Sequence, residues 1–279
     1  MNISYVDFWP GFDPFSNWFN LLLKGAFPDR EIKITKPELA DVIFFSCFGN
    51  KHDLYKDHKA VKISYIGENE RPNYSVADYS LSFDFDHHGG RNFRLPHWYL
   101  YINWWDEPSF PHAQISLNDL SHKFDPKEIF DRKEFCSIMI GNPVQNRIDT
   151  AVKLDEFKPV HGFGRVFNNP VDDKIKTLKN YRWNICFENS IYNGFVTEKL
   201  LQAKIAGCIP LYYGSDASAV DFNKDCYMDI TGLSTEEIYN KVVNIENDKN
   251  LFLAIASEPI FNTMPTLNPL YDFLKTKLK

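Results

Sequence analysis

The strongest constraint on this chain is a repeated alternation of short apolar runs with stretches of helical period. In the first half, Asn2–Phe8, Glu31–Thr35, Asp41–Phe48, Val61–Ile66 and Tyr79–Phe83 read as strands. Between the first two, Ser16–Phe27 places Trp18, Leu21 and Leu22 on one helix face, with Ser16 as its cap. A second series begins at Glu134–Ile140. Strands at Pro159–Phe163, Trp183–Phe187, Cys208–Tyr213 and Cys226–Ile230 follow, separated by helices at Gln145–Phe157, Asp172–Asn180 and Thr197–Ala206. Gly207 stands where the last of these helices must stop, and Ser234-Thr235-Glu236-Glu237 forms a capping box for another. Continuous apolar strands separated by helices require a parallel sheet covered on both faces. The fold class expected is therefore α/β, with two Rossmann-like domains facing a cleft. In such sheets ligands sit beyond the carboxyl ends of the strands.

Domain bounds follow from the gap between the series. Asp106–Lys133 has no strong period and carries Pro108, Pro111 and Pro126, so it reads as a linker. The expected domains are 1–133 and 134–279, the second closed by a weakly amphipathic, basic C-terminal helix over 270–279. A chain of 279 residues with 44% hydrophobic and 24% charged residues can fill two such cores and is not disordered. The net charge of −6 argues against a nucleic-acid partner. No apolar run reaches the roughly 18–20 residues of a membrane span, and Met1-Asn2-Ile3-Ser4-Tyr5-Val6-Asp7 lacks a signal-peptide pattern. The five widely spaced cysteines read as buried free thiols of a reducing compartment. A natural start at Met1 and a cytoplasmic location are the expectation, with at most weak peripheral membrane contact through the basic tail. Oligomeric state has no signal in the sequence.

Chemistry concentrates in one stretch. Phe187-Glu188-Asn189-Ser190 ends an apolar strand, and Gly194-Phe195-Val196-Thr197-Glu198-Lys199-Leu200 opens a helix that Thr197 can cap. The first turn of a helix favours anions, so a lysine there makes more sense opposite a bound anion such as a pyrophosphate. Glu198, about 100° around the helix, can hydrogen-bond sugar hydroxyls while Lys199 meets phosphate. An ordinary surface Glu-Lys pair is the competing explanation.

Together with Gly207-Cys208-Ile209-Pro210-Leu211-Tyr212-Tyr213-Gly214-Ser215, this stretch resembles the signature of the α-1,3/4-fucosyltransferases, glycosyltransferase family 10. Ile66-Gly67-Glu68-Asn69-Glu70-Arg71-Pro72-Asn73 is similar to an N-terminal segment of the bacterial members, and Gly162-Phe163-Gly164-Arg165 to a further element. The resemblance covers roughly 61–279. It implies a GT-B fold and inverting transfer of L-fucose from GDP-β-L-fucose to a GlcNAc or Glc hydroxyl of an oligosaccharide, α-1,3 being favoured. The donor is a substrate, and no cofactor or divalent metal is implied. Carried over by position, Glu68 is the general base and Glu198 a carboxylate at the fucose. Arg147 and Lys199 neutralise the diphosphate, and Asn189, Arg165 and Phe195 lie at donor positions. Phe195 departs from the family's usual Tyr, which removes a phenol from the donor site, so that donor binding is either weaker or met by another group such as Tyr192. The rival readings are another nucleotide-sugar donor on the same fold and a glycan-binding protein without catalysis.

Other residues read more plainly. Asp84-Phe85-Asp86 resembles a metal-binding DxD but lies in the first half, where a structural role is expected, and His87-His88 reads as a surface loop. Trp98, Trp104 and Trp105, in an aromatic cluster, are either core or a stacking platform for the acceptor.

Overall fold

The computed structural model describes residues 1–107 and 114–279. Pro108 and Pro111 of the expected linker lie outside them. The chain divides into two units. Unit 1 comprises Met1–Leu117, Tyr192–Phe195 and Pro265–Lys279, and unit 2 comprises Asn118–Ile191 and Val196–Met264. This division differs from bounds drawn at 133/134.

Unit 1 is built on a six-stranded parallel sheet of β1 (Asn2–Val6), β2 (Lys33–Ile34), β3 (Val42–Phe45), β4 (Val61–Tyr65), β5 (Tyr79–Ser82) and β6 (Asn92–Arg94), in the order β2-β1-β3-β4-β5-β6. A short parallel pair, β7 (Ile102–Asn103) and β8 (Ile115–Ser116), lies outside it. Helix α1 (Trp18–Ala26) buries Trp18, Phe19, Leu22 and Leu23 on the sheet. Its cap is Asn17, whose side chain accepts from Asn20 N at 2.9 Å, rather than Ser16.

Unit 2 carries α2 (Leu117–Ser121, straddling the boundary), α3 (Pro126–Phe130), α4 (Gln145–Asp155), α5 (Lys174–Leu178), α6 (Lys199–Ile205), α7 (Ser218–Asp221), α8 (Thr235–Asn247) and α9 (Lys249–Ser257). Its parallel sheet runs β10-β9-β11-β12-β13, from β9 (Glu134–Met139), β10 (Val160–Phe163), β11 (Tyr181–Phe187), β12 (Ile209–Tyr213) and β13 (Met228–Asp229). Trp183, Ile185, Leu211, Val242 and Phe252 fill the core. The capping box forms as read: Ser234 Oγ accepts from Glu237 N, and the Glu237 carboxylate accepts from Ser234 N at 2.8 Å. Gly207 ends α6 at φ +85°, where a Cβ would run into Arg132.

Two expectations need correcting. The segment read as a linker contains α2 and α3, the latter capped by Asp125, whose carboxylate accepts from Lys127 N ahead of Pro126. The C-terminal helix α10 (Asn268–Lys277) closes unit 1, because Leu270 and Leu274 complete that unit's core with Leu22, Leu23 and Phe44. Its apolar face is thereby used within the protein. Among the described residues, no helix is long and apolar enough to cross a membrane. Cys136, Cys186, Cys208 and Cys226 are buried free thiols and Cys47 is partly exposed.

Candidate functional site

The strand order of unit 2 reverses between β9 and β11: the chain passes from β9 out to β10, then back across to β11. Connections leave the two central strands toward opposite sides, opening a crevice at their carboxyl ends. Arg147, in the first turn of α4, and Glu188, directly after β11, both stand there.

Glu188 is the hub. Its side chain is fully buried, and three donors converge on it. Oε1 accepts from Thr197 N at 2.7 Å, while Oε2 accepts from Thr197 Oγ1 at 2.6 Å and from Lys199 Nζ at 2.9 Å. Lys199 Nζ also donates to Thr197 Oγ1 at 2.8 Å, yet its side chain remains 23% exposed. Burial alone would lower the Lys199 ammonium, but the Glu188 and Glu198 carboxylates outweigh it and raise its pKa. Lys199 is therefore a fixed cation on a side chain that is partly exposed. Gly214 leaves room for this carboxylate, since a Cβ there would press on Glu188 Cγ and collide with Tyr212 Oη.

Thr197 does not cap α6 as the sequence suggested. A carboxylate is a stronger acceptor than the helix amides are a donor set, so the hydroxyl turns to Glu188, and Glu198 takes the cap position. Glu188 thus places one carboxylate of the protein itself at this helix start. From the sequence Glu188 shows only as a residue at a strand end; the residues that reveal its role lie nine and eleven positions away.

Arg147 is buried, with 2% of its surface exposed. Nη2 donates to the Glu188 carbonyl at 2.6 Å and to Asn189 Oδ1 at 3.1 Å. Its Nε is buried with no hydrogen-bond partner among the described residues. Burial lowers the guanidinium's pKa, with Glu188 opposing. Helix α4 starts at Val144 with no side-chain cap, so its first amides are not spent on one. The predicted Arg147, Asn189 and Lys199 thus meet around Glu188. Glu198, largely buried, lies on the same turn with Lys174 Nζ 3.8 Å away. Arg165 is exposed after β10, held to the loop after β9 by Gly141 O at 3.0 Å and Asn142 Oδ1 at 2.8 Å. It joins the same strand-end edge but contacts none of the others in the hydrogen bonds described. A buried guanidinium, a fixed ammonium and uncapped helix amides at a switch point suit a polyanion such as a diphosphate.

In unit 1, Glu68 is exposed in the turn after β4, and Glu70 N donates to its carbonyl at 2.7 Å. Cys47, Ile66, Phe83, Tyr192 and Phe195 form a small apolar cluster beside it. Phe195 is only 3% exposed and meets Phe83 edge-on at 5.3 Å, so its ring serves as core packing rather than an open donor contact. Gly194, at φ +92°, lets the backbone come so close to Phe83 O that a Cβ would collide with it. Arg71 Nε donates to Tyr192 Oη at 2.6 Å, with the guanidinium 4.4 Å over the ring, and Arg71 pairs with Asp84. Asp84 also contacts His88 Nε2 at 3.2 Å, so the DxD carboxylate is spent on internal pairs.

The three tryptophans each pack against neighbours within unit 1. Trp98 is buried, Trp104 stacks on Tyr99 at 5.2 Å, and Trp105 donates to Tyr271 Oη at 2.8 Å while packing on Trp18. Trp104 and Trp105, partly buried, pack against the unit 1 core.

Residues 3–101 match the "Alpha-(1,3)-fucosyltransferase FucT N-terminal domain" and residues 131–255 the "Glycosyltransferase family 10 (fucosyltransferase) C-term". The chain is 28% identical over 275 residues to the Helicobacter pylori alpha-(1,3)-fucosyltransferase FucT, covering 86% of this chain and 55% of that one. It is 31% identical over 103 residues to human 4-galactosyl-N-acetylglucosaminide 3-alpha-L-fucosyltransferase 9, covering 36% and 28%. It thus spans about half or less of the length of these curated relatives. A crystal structure of an α1,3-fucosyltransferase superposes with a TM-score of 0.78 at 24% identity, over 99% of this chain and 89% of that one. Anabaena HepE in complex with UDP and glucose superposes at 0.57 with 9% identity, over 100% and 99%. These likenesses establish the GT-B fold.

Proposed function

Because the chain belongs to glycosyltransferase family 10, we propose that it transfers L-fucose from GDP-β-L-fucose to a glycan hydroxyl with inversion at the anomeric carbon. The observation that carries this reading is the buried, partnerless Nε of Arg147 beside the fixed Lys199 at the switch point of unit 2. The two cations neutralise the departing diphosphate, so the step needs no divalent ion. Glu198, next to Lys199 in sequence, serves the fucose as charge develops on its ring. The acceptor hydroxyl attacks the anomeric carbon, Glu68 takes its proton, and the bond to GDP breaks. Glu68 suits that role because it is exposed on a short turn directly after a buried strand. Asn189 and Arg165 are donor-side contacts.

The donor follows from the family, and one solved relative at 24% identity was determined with GDP-fucose. The acceptor is a GlcNAc or Glc unit of a β-galactosyl disaccharide on lipopolysaccharide or a related glycan, joined α-1,3 as the names of the relatives describe. The free thiols fit a cytoplasmic setting.

The test is GDP release from GDP-fucose with and without N-acetyllactosamine, in EDTA. Acceptor-dependent release supports transfer and metal independence together. Loss of release in EDTA overturns the second, and failure of GDP-fucose to bind overturns the donor.

A further inference from the structure

Trp98 is buried and Trp104 and Trp105 are partly buried against their neighbours, whereas a more open aromatic ring of unit 1 lies at the end of its sheet. This sheet reverses order between β1 and β3, which gives unit 1 its own switch point. At the carboxyl end of β1, Asp7 adopts φ +56°, a left-handed conformation uncommon outside glycine. The surroundings hold it there. Its carbonyl accepts from Phe48 N at 3.1 Å, and its Oδ2 accepts from His52 N at 2.8 Å and meets His52 Nδ1 at 2.7 Å. Gly49 must be glycine-sized, because a Cβ would collide with the Asp7 carboxylate. Over-determined strain of this kind clusters at binding and active sites.

This bracing presents Phe48 with 44% of its surface exposed. The ring borders a cleft of about 470 Å³ that Asn50, Lys51 and Tyr55 also line. On its other side, Trp9 lies 6.3 Å from Phe48 and 6.4 Å from Tyr65, whose hydroxyl approaches Gly67, the residue before Glu68. An open aromatic face flanked by hydrogen-bonding groups matches a pyranose, which has one apolar face and a rim of hydroxyls.

We propose that the cleft at the carboxyl edge of β1 and β3 is a subsite for a pyranose unit of the acceptor glycan, stacked on Phe48. The proposal rests on the transferase reading above for the identity of that glycan. Phe48 is a binding and specificity residue, and the Asp7–His52 pair positions it.

The test compares Phe48→Ala and Phe48→Tyr with the unsubstituted protein. Initial rates are taken against N-acetyllactosamine at saturating GDP-fucose, alongside saturation-transfer NMR of the disaccharide without donor. Phe48→Ala should raise the acceptor KM about tenfold, the scale of one stacking contact. The donor KM and acceptor-independent GDP release should not change, and Phe48→Tyr should restore the acceptor KM. Turnover with an unchanged acceptor KM in Phe48→Ala overturns the subsite while leaving the transferase reading intact. No turnover, but saturation transfer that Phe48→Ala abolishes, overturns the transferase reading and upholds the subsite. Absence of saturation transfer to the unsubstituted protein overturns the subsite.

Discussion

The Lys199 ammonium lies 2.9 Å from a Glu188 carboxylate that is wholly buried, while 23% of the Lys199 side chain is exposed. The pair is therefore asymmetric: the carboxylate belongs wholly to the interior, and the lysine side chain is partly exposed. Lys199→Ala should weaken GDP binding by about 1.5–3 kcal/mol, the range for a charge-assisted contact. Glu188→Gln should instead cost about 3–5 kcal/mol of folding stability, because it leaves a charge without its partner. Calorimetry with GDP and urea unfolding separate the two effects. Unchanged GDP affinity in Lys199→Ala would remove the lysine from the diphosphate site.

The raised pKa of Lys199 carries a sign. Its stabilising contribution is complete below the ordinary lysine value of about 10.5 and is lost only above it, as pH rises through the folded-state value. GDP affinity between pH 6 and 9 should show no Lys199 titration. A wild-type inflection in that range that disappears in Lys199→Met would contradict this.

Glu68→Gln should lower kcat by roughly 10²–10⁴-fold, the usual worth of a positioned base, with GDP affinity nearly unchanged. Equal loss of GDP binding would place Glu68 in the donor site instead.

Tyr192 and Arg71 offer a sharper test of loop positioning. Arg71 follows Glu68 by three residues, and Tyr192 lies on the connection that leads to Glu198. Tyr192→Phe should cost about 0.5–1.5 kcal/mol in transition-state stabilisation by losing the hydrogen bond, and Tyr192→Ala about 0.5–1 kcal/mol more by losing the cation–π contact. A double-mutant cycle with Arg71→Lys, read in kcat, should show coupling. Strict additivity would mean the contact only packs the loop.

Lys204 tests the opposite sign. Burial lowers its pKa, and its Nζ donates to Ala256 O at 3.0 Å at the end of α9. The unfolded chain then binds more protons between the folded value and about 10.5, so stability rises with pH across that window. The cost of holding the charge is full below it. Lys204→Met should be relatively more stable at pH 7 than at pH 10. Urea unfolding at both values decides it, and a pH-independent difference would refute the assignment.

Much of this was legible in the residues. Continuous apolar strands such as Val42–Phe45 state a parallel sheet directly, and the Ser234 capping box and Gly207 mark helix ends by local chemistry alone. Arg147, Asn189 and Lys199 were recoverable from a motif. Glu188 was not, because a carboxylate ending a strand looks like a surface residue until Thr197 and Lys199 fold back onto it. Helix α3 was missed although Asp125-Pro126 is an N-cap signal, because a helix of five residues, little more than one turn, carries too little periodicity. Trp98, Trp104 and Trp105 left two readings open because aromatic density marks cores and sugar sites alike.

The division of the chain has a practical reach. It changes unit after Leu117, Ile191, Phe195 and Met264, so neither core is encoded by one uninterrupted stretch. Cutting the polypeptide near residue 117 would strip unit 1 of α10 and expose Leu22, Leu23 and Phe44, which Leu270 and Leu274 cover. It would also leave Ile66 and Phe83 without Phe195. The two halves should therefore fail as separately expressed fragments and regain order only when co-expressed. Swapping one half between relatives to change acceptor or donor choice would have to carry the Tyr192–Phe195 tetrapeptide and the last fifteen residues along with the first 117.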